Sequence, residues 1–443
     1  MLNLVHSCLR VAEGGLGIAR VVLIVAPQFL SRTEFATVRY WGLSKYLPEF
    51  GWTPVILTES SPGKSASRIS VIEVPQPNDL LRFLKARFAN QMARQGENAC
   101  GGICGTGNRG GLATALRRFL WHTGLVPGAS TGWGRSYCAA GRDAMSHTQV
   151  HAIISTSTFA HVVAGELKRK SGVPWIADFR DLWTQNHYYR AGAFAKSLER
   201  RFEVRTIRPA DALITVSEPS AEELKDLHRG KPVFSIPNGF DPDEAVSSPL
   251  TGEFTITYAG RLYAGKRDPR PLLKALRTLI DEQVVDPRTI SVRLFGPKQQ
   301  WLEEEINHHR LGGIVSQRGT LPREVILQKE RESQLLLLLN WDHPKEQGVY
   351  TGKLFEYLAA RRPILAMGGP GGVVRELLNY TQAGTHVSDL CELKKVMTAY
   401  YGEYARTGSV PYRGLKERVW EYSHEAMAKR FAAVLNGVCS SAG

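Results

Sequence analysis

The sequence predicts an α/β protein built as two parallel-sheet domains, on three observations. Short apolar runs alternate with amphipathic stretches: VVLIVA near residue 21, TPVILT near 53, AIIST near 152, WIADF near 175 and ALITVS near 212. A second series follows, with FTITYAG near 254, SVRLFG near 291, LLLLLN near 335 and PILAMG near 363. A segment rich in Pro, Asn, Gly and Asp, Pro237 to Ser248, separates the two series. Such alternation builds parallel sheets with helices on both faces. Two Rossmann-like domains facing a cleft are expected, with ligands beyond the carboxyl ends of the strands.

Bulk properties agree with this. A chain of 443 residues exceeds one ordinary core. Hydrophobic content of 43% and charged content of 22% describe a soluble globular protein. The net charge of +14 asks for an acidic partner: nucleic acid, an anionic membrane or a phosphorylated substrate. No nucleic-acid-reading motif is present, so nucleic acid is not expected. No apolar run reaches the ~18–20 residues that span a bilayer. Residues 1–19 carry a weak apolar stretch broken by Arg10 and Glu13, and read as an N-terminal extension, not a signal peptide. The six cysteines are scattered, which fits a reducing compartment, and Cys100 with Cys104 lacks the second pair a zinc site needs. A cytoplasmic protein is expected, with no metal site.

Residues 80–137 break the alternation. Eight Lys or Arg stand there (Arg82, Lys85, Arg87, Arg94, Arg109, Arg117, Arg118 and Arg135) against one acid, Glu97. Leu80, Leu81, Leu84, Phe88 and Met92 recur at helical spacing beside these cations. A basic amphipathic insertion of this kind suits an anionic membrane face; a hairpin packed on its own domain with a solvated basic side gives the same pattern. GTGNRG, Gly105 to Gly110, has the letters of a dinucleotide fingerprint but neither the strand before it nor the acid after it, and is set aside.

The most informative segment is YTGKLFEYLAARRPILA, Tyr350 to Ala366. Leu354, Phe355, Leu358 and Ala359 form one helix face, Arg361-Arg362-Pro363 ends the helix, and Ile364-Leu365-Ala366 follows as a buried strand. Free amides at the helix start and the Lys353 ammonium both present positive charge to a diphosphate. Glu356, one turn on, can accept hydrogen bonds from a ribose diol. A solvated amphipathic helix carries the same residues. Gly260-Arg261 closes the strand ITYA, where glycine admits a ligand and a guanidinium can fork onto phosphate, with Lys266 close by. An ordinary strand-end turn is the alternative there, and a plain turn is the alternative for the glycine loop Met367 to Gly372. Asp178, Arg180 and Asp181 follow the strand WIADF. Asp181 is placed to position or deprotonate an acceptor hydroxyl and Arg180 to steady a phosphate; a salt-bridged strand end gives the same letters.

In this order, these segments resemble the retaining glycosyltransferases of family 4. Tyr350 to Ala366 looks like the donor-sugar helix, whose carboxylate holds the ribose, and Ile256 to Leu276 looks like the strand, Gly-Arg turn and lysine on the donor phosphates. Ala210 to Leu224 and Ser235 to Glu244 look like the end of the first domain and the linker. Pro174 to Thr184 resembles a subset of the family, and Val38 to Thr58 its first helix and second strand. The likeness runs from Arg20 to Leu435.

The resemblance implies a GT-B fold. A first domain at 20–245 would bind the acceptor, and a second at 250–411 the nucleotide sugar. A crossover helix at 412–436 would return to the first domain through Trp420, Tyr422, Met427 and Phe431. It implies donor contacts from Gly260, Arg261, Lys266, Gly352, Lys353, Leu354 and Glu356, catalysis by Arg180, Asp181 and Asp178, and an acceptor-side loop holding Arg32 and Glu34. Three departures stand out. Arg180 takes the place where family members often carry a histidine. Gly348 stands eight residues before Glu356, where the first of two glutamates is usual, and Glu346 is out of register. Gln28 to Glu34 replaces a Gly-Gly loop. The expected function is transfer of a sugar, with retention and without a metal or other cofactor, from a nucleoside diphosphate to a lipid-linked or cell-surface glycan. The protein is expected to be peripheral on the inner face of the cytoplasmic membrane. A non-catalytic GT-B scaffold in a glycan assembly complex and a sugar-nucleotide epimerase are the alternatives.

Overall fold

A computed structural model describes residues 20–30, 35–61, 69–75, 130–188 and 192–441. Arg32, Glu34 and most of the basic stretch 80–137 lie outside the described residues. The chain divides into two compact units. The first takes the chain to Val216, then Ser220–Ile236 and the C-terminal Ala428–Gly443; the second takes Ser217–Pro219 and Pro237–Met427. Among the described residues no helix is long and apolar enough to cross a membrane.

The first unit holds one all-parallel sheet of strands β1 (Arg20–Val25), β2 (Trp52–Glu59), β3 (Ser70–Val74), β4 (Val150–Ser155), β5 (Trp175–Phe179), β6 (Ala212–Thr215) and β7 (Val233–Ser235), in the order 3-2-1-4-5-6-7. Its helices are α1 (Phe35–Tyr46), α2 (Ser130–His147), α3 (Thr158–Ser171), α4 (Ala193–Ile207) and α5 (Glu218–Leu227). The basic insertion ends earlier than its charge pattern suggests. Residues 130–137 already belong to α2, and Tyr137 is fully buried in the core with Leu57, Ile153 and Leu167.

The second unit holds β8 (Phe254–Ala259), β9 (Ile290–Phe295), β10 (Val315–Gly319), β11 (Leu335–Leu339), β12 (Ile364–Met367) and β13 (Gly384–Val387), in the order 10-9-8-11-12-13. Helices α6 (Arg270–Asp281), α7 (Gln300–His308), α8 (Arg323–Arg331), α9 (Gly352–Ala360), α10 (Gly372–Thr381), α11 (Leu390–Thr407) and α12 (Lys416–Trp420) accompany them. Strand alternation explains why LLLLL is apolar throughout. Leu335, Leu337 and Leu339 enter one core cluster while Leu336 and Leu338 enter another, so both faces of the sheet are covered. Strand order reverses between β8 and β11, and ligands of such sheets gather at that switch point.

The last helix, α13 (His424–Ser441), begins in the second unit and joins the first from Ala428. Within the first unit its Asn436 Oδ1 accepts from Trp52 Nε1 at 3.1 Å and from Arg20 at 3.2 Å, and the Arg39 guanidinium lies 4.9 Å over the Phe431 ring. Trp420 and Tyr422, read above as packing on the first domain, instead pack in the second unit against the cluster of Phe240, Leu354 and Phe355. The same cluster draws residues 237–245 into the second unit, because Phe240 is buried there and pairs with Ser423.

Candidate functional site

At the switch point of the second unit, Gly260 follows β8 with φ +147°. A Cβ there would lie 2.2 Å from Lys353 Cε and 2.5 Å from Nζ, so the lysine lies directly across the glycine backbone. A Cβ at Gly296, after β9, would in turn lie 2.1 Å from the Gly260 carbonyl oxygen. Two strand ends lacking side chains thus make the bed on which Lys353 rests, 6.0 Å over the Tyr258 ring. Lys266 Nζ stands 4.3 Å over the ring of Trp341, which follows β11. Burial lowers the Lys353 pKa, and the nearby Arg267 charge lowers it further. Sequence reasoning placed Gly260, Lys266 and Lys353 in one site, and the structure brings them to one end of β8 and β11. Arg261 is exposed at that end, and its carbonyl accepts from Tyr258 Oη at 3.1 Å.

Helix α9 opens without a side-chain cap at Thr351, whose Oγ1 is buried and unpartnered. The first amides of a helix have no internal acceptor and carry the positive end of its dipole. Gly352 and Lys353 therefore stand in the uncapped first turn of α9, and the Lys353 side chain reaches the Gly260 backbone. Leu354 does not join them. Its side chain is fully buried in the core, and its amide donates to the Thr351 carbonyl at 3.1 Å, so no donor contact through that side chain is available. Helix α10 also opens uncapped, at Gly371, and a Cβ at Gly372 would collide with the Gln347 carbonyl at 2.2 Å.

Glu356 is held from one side by Arg323, 3.2 Å away, which also makes a two-pronged bond to Glu244 at 2.6 and 2.9 Å. The sequence reading missed Glu330. This α8 side chain is fully buried and neither carboxyl oxygen has a hydrogen-bond partner. Helix α8 packs on both α9 and β8, which sets Glu330 among Glu356, Lys353, Arg323 and Arg331. Burial, reinforced by the Glu356 charge, holds its carboxyl well above the usual carboxylate range against the pull of those cations. Burial also pushes the Glu356 carboxyl up and the Lys353 ammonium down. In the sequence Glu330 is one letter in the charge-rich run REVILQKERE, with nothing to mark it as the buried one.

The first unit treats its three expected catalytic residues differently. Asp178, at the end of β5, is fully buried and accepts from Arg39 Nε at 2.9 Å, Arg39 Nη2 at 3.3 Å and Tyr40 Oη at 3.0 Å. It ties β5 to α1 and cannot serve as an exposed catalytic acid. Arg180 and Asp181 are accessible but pair with each other, at 2.9 Å through Arg180 Nε. Beneath them, Glu203 accepts from the Thr184 amide at 3.0 Å and Glu199 from Trp183 Nε1 at 3.0 Å, fixing the segment after β5.

The family model of Glycosyltransferase Family 4 matches residues 112–244. No curated protein matches the sequence. Among solved structures, a sucrose-phosphate synthase from Thermosynechococcus elongatus is 14% identical with a TM-score of 0.63, covering 95% of this chain and 100% of its own. HepE of Anabaena, solved in complex with UDP, is 14% identical with a TM-score of 0.62, covering 94% and 100%. WaaG, a glycosyltransferase involved in lipopolysaccharide biosynthesis, is 12% identical with a TM-score of 0.53, covering 94% and 100%. The resemblance read from the sequence therefore holds: the chain has the GT-B fold, and residues 112–244 match the family model.

Proposed function

We propose that this protein transfers a sugar from a nucleoside-diphosphate donor to a hydroxyl of a lipid-linked or cell-surface glycan, with retention. The observation that carries the reading is Lys353 lying across the bare backbone of Gly260, with Glu356 one turn further along α9. The diphosphate would take the α9 amides of Gly352 and Lys353, the Lys353 ammonium, Arg261 and Lys266. Glu356, released in part from Arg323, would accept the ribose hydroxyls. HepE, which shares the fold, is solved with UDP and with UDP-glucose, which supports a nucleotide-sugar donor here.

In the transfer, the acceptor oxygen bonds to the anomeric carbon and the bond from that carbon to the β-phosphate oxygen breaks. The acceptor proton passes to the departing phosphate, and the nucleoside diphosphate leaves. Cations fixed at the phosphates stabilise the charge that develops there. Asp181 and Arg180 are proposed for the acceptor side, where their mutual pair would open on binding.

Thermal melting with UDP, GDP and ADP tests the donor site. A ligand at about a hundred times its Kd stabilises by about 2.7 kcal/mol, several degrees of Tm. A shift with one nucleotide that Glu356→Ala abolishes supports the reading. No shift with any nucleotide would favour a non-catalytic scaffold.

A further inference from the structure

Helix α4, AFAKSLERRFEVRTI, sorts its charges by face. Both of its acids turn inward: Glu199 is 3% exposed beneath Trp183, and Glu203 is fully buried against Thr184 and His228. Its arginines turn outward. Arg200, Arg201 and Arg205, with Arg208 at the helix end, line an open groove of about 500 Å³ together with Ser197, Val204 and Leu227 of α5. Among the described residues no ion pair engages any of these four guanidinium groups. Lys231 adds a further cation beside them, with its ammonium on the Arg208 carbonyl at 2.7 Å.

This is unusual for a solvated helix, where acids and bases usually share the outer face in i,i+4 pairs. Here the pairing acids are committed to the interior, so the outer stripe carries a single sign. The stripe is also partly apolar. Phe194 is 68% exposed and Val204 37% exposed. Phe194, Ser197, Arg201, Val204 or Arg205, and Arg208 follow one another at helical spacing over about 21 Å.

Planar guanidinium groups bind phosphates in two-pronged fashion, and an amphipathic cationic face with an exposed aromatic settles into the headgroup layer of an anionic bilayer. We propose that the outer face of α4 docks the first unit on an anionic membrane, with Arg200, Arg201, Arg205 and Arg208 on lipid phosphates and Phe194 in the interfacial layer. A soluble polyanion would use the arginines but gains little from Val204 and Phe194. The proposal rests on the reading that the acceptor is presented at a membrane, and it places the contact on a folded helix of the first unit.

The test is co-sedimentation of the full chain with vesicles of phosphatidylcholine alone or mixed equally with phosphatidylglycerol. The variant Arg200→Gln/Arg201→Gln/Arg205→Gln/Arg208→Gln is compared with a control that removes as many cations from the second unit, at Lys274, Lys298, Arg310 and Arg318. Each surface cation is worth about fivefold in partitioning, so the α4 variant should lose on the order of several hundredfold and the control far less. Phe194→Ser should weaken binding several-fold without changing its salt dependence. Equal loss in both charge variants, or wild-type binding by the α4 variant, overturns the proposal. So does release of the wild type from vesicles by a short RNA that the α4 variant no longer binds, which would make the groove a soluble-polyanion site. The nucleotide-induced Tm shift is read on the same samples. Its survival in a non-binding α4 variant shows intact folding, and its absence in a wild type that binds vesicles defeats the donor reading while leaving the docking face.

Discussion

Each unit of this protein buries a carboxylate beside cations, and the two are treated in opposite ways. Asp178 in the first unit receives three hydrogen bonds from Arg39 and Tyr40, and the arginine is further seated on Phe431. Glu330 in the second unit receives none, although Lys353 and Arg323 are near enough to act on its charge. A buried charge with its lone pairs occupied holds a fold in one arrangement. A buried acid left without partners has a pKa and surroundings that can still respond when a charged ligand arrives. The contrast separates architecture at the end of β5 from the candidate site proposed at the end of β8.

The largest expected effect tests the architectural half. Asp178→Ala strands the Arg39 charge in the core and should cost about 3–5 kcal/mol in urea unfolding, while Arg39→Met/Asp178→Leu should recover most of that. A stable but inactive Asp178→Ala protein would return this residue to the chemistry. Next comes Lys353→Met, which keeps the methylene bulk over Gly260 and removes the ammonium. Losing a charged hydrogen bond of about 1.5–3 kcal/mol should weaken nucleotide binding roughly ten- to hundredfold by calorimetry. Unchanged affinity would remove Lys353 from the phosphate site.

Glu330→Gln sharpens the other half. A carboxyl whose folded pKa is raised contributes stability below its unfolded pKa, near 4.3, and loses it as pH rises towards the folded value. The variant lacks that dependence, so its stability should exceed that of the wild type by a margin growing up to about 1.4 kcal/mol per pH unit above that point. A margin that stays flat, or a variant less stable at neutral pH, would mean that Glu330 is ionised and paired. The smallest effect lies in the first unit. Burial, with His228 beside it, lowers the His161 pKa to about 3, and the ring nitrogen Nδ1 meets Ser155 Oγ at 2.7 Å. The unfolded chain takes up this proton below about pH 6.5 and the folded one does not. Stability should therefore fall by about 1 kcal/mol between pH 6.5 and 5.5, and His161→Gln should flatten that slope in thermal melts.

Much of the fold was legible because central strands of a parallel sheet are apolar on both faces. All nine strands read from the sequence are there. The four it missed, β3, β7, β10 and β13, are the edges of the two sheets. An edge strand has a solvated side, so VSQRG and GTHV carry no apolar run to read. The nearness of Gly260, Lys266, Lys353 and Glu356 in space was legible because glycine turns and helix starts leave marks in local sequence. Leu354 was misplaced for the same local reason: adjacency to Lys353 in the chain says nothing of direction, and one step along the helix turns its side chain into the core.

The sequence by itself determined the strand–helix alternation, the two units and the residues that gather at the ends of β8 and β11, since these follow from periodicity and turn chemistry within short windows. Only the tertiary structure decided which charges are buried. Asp178 and Asp181 are three residues apart, yet one aspartate is sealed and the other open. Glu330 and the inward-turned Glu199 and Glu203 look like any surface glutamate until the neighbouring elements close over them. Burial depends on what packs against a residue from distant parts of the chain, and it is burial that turns an ordinary carboxylate into a structural tie or a responsive group.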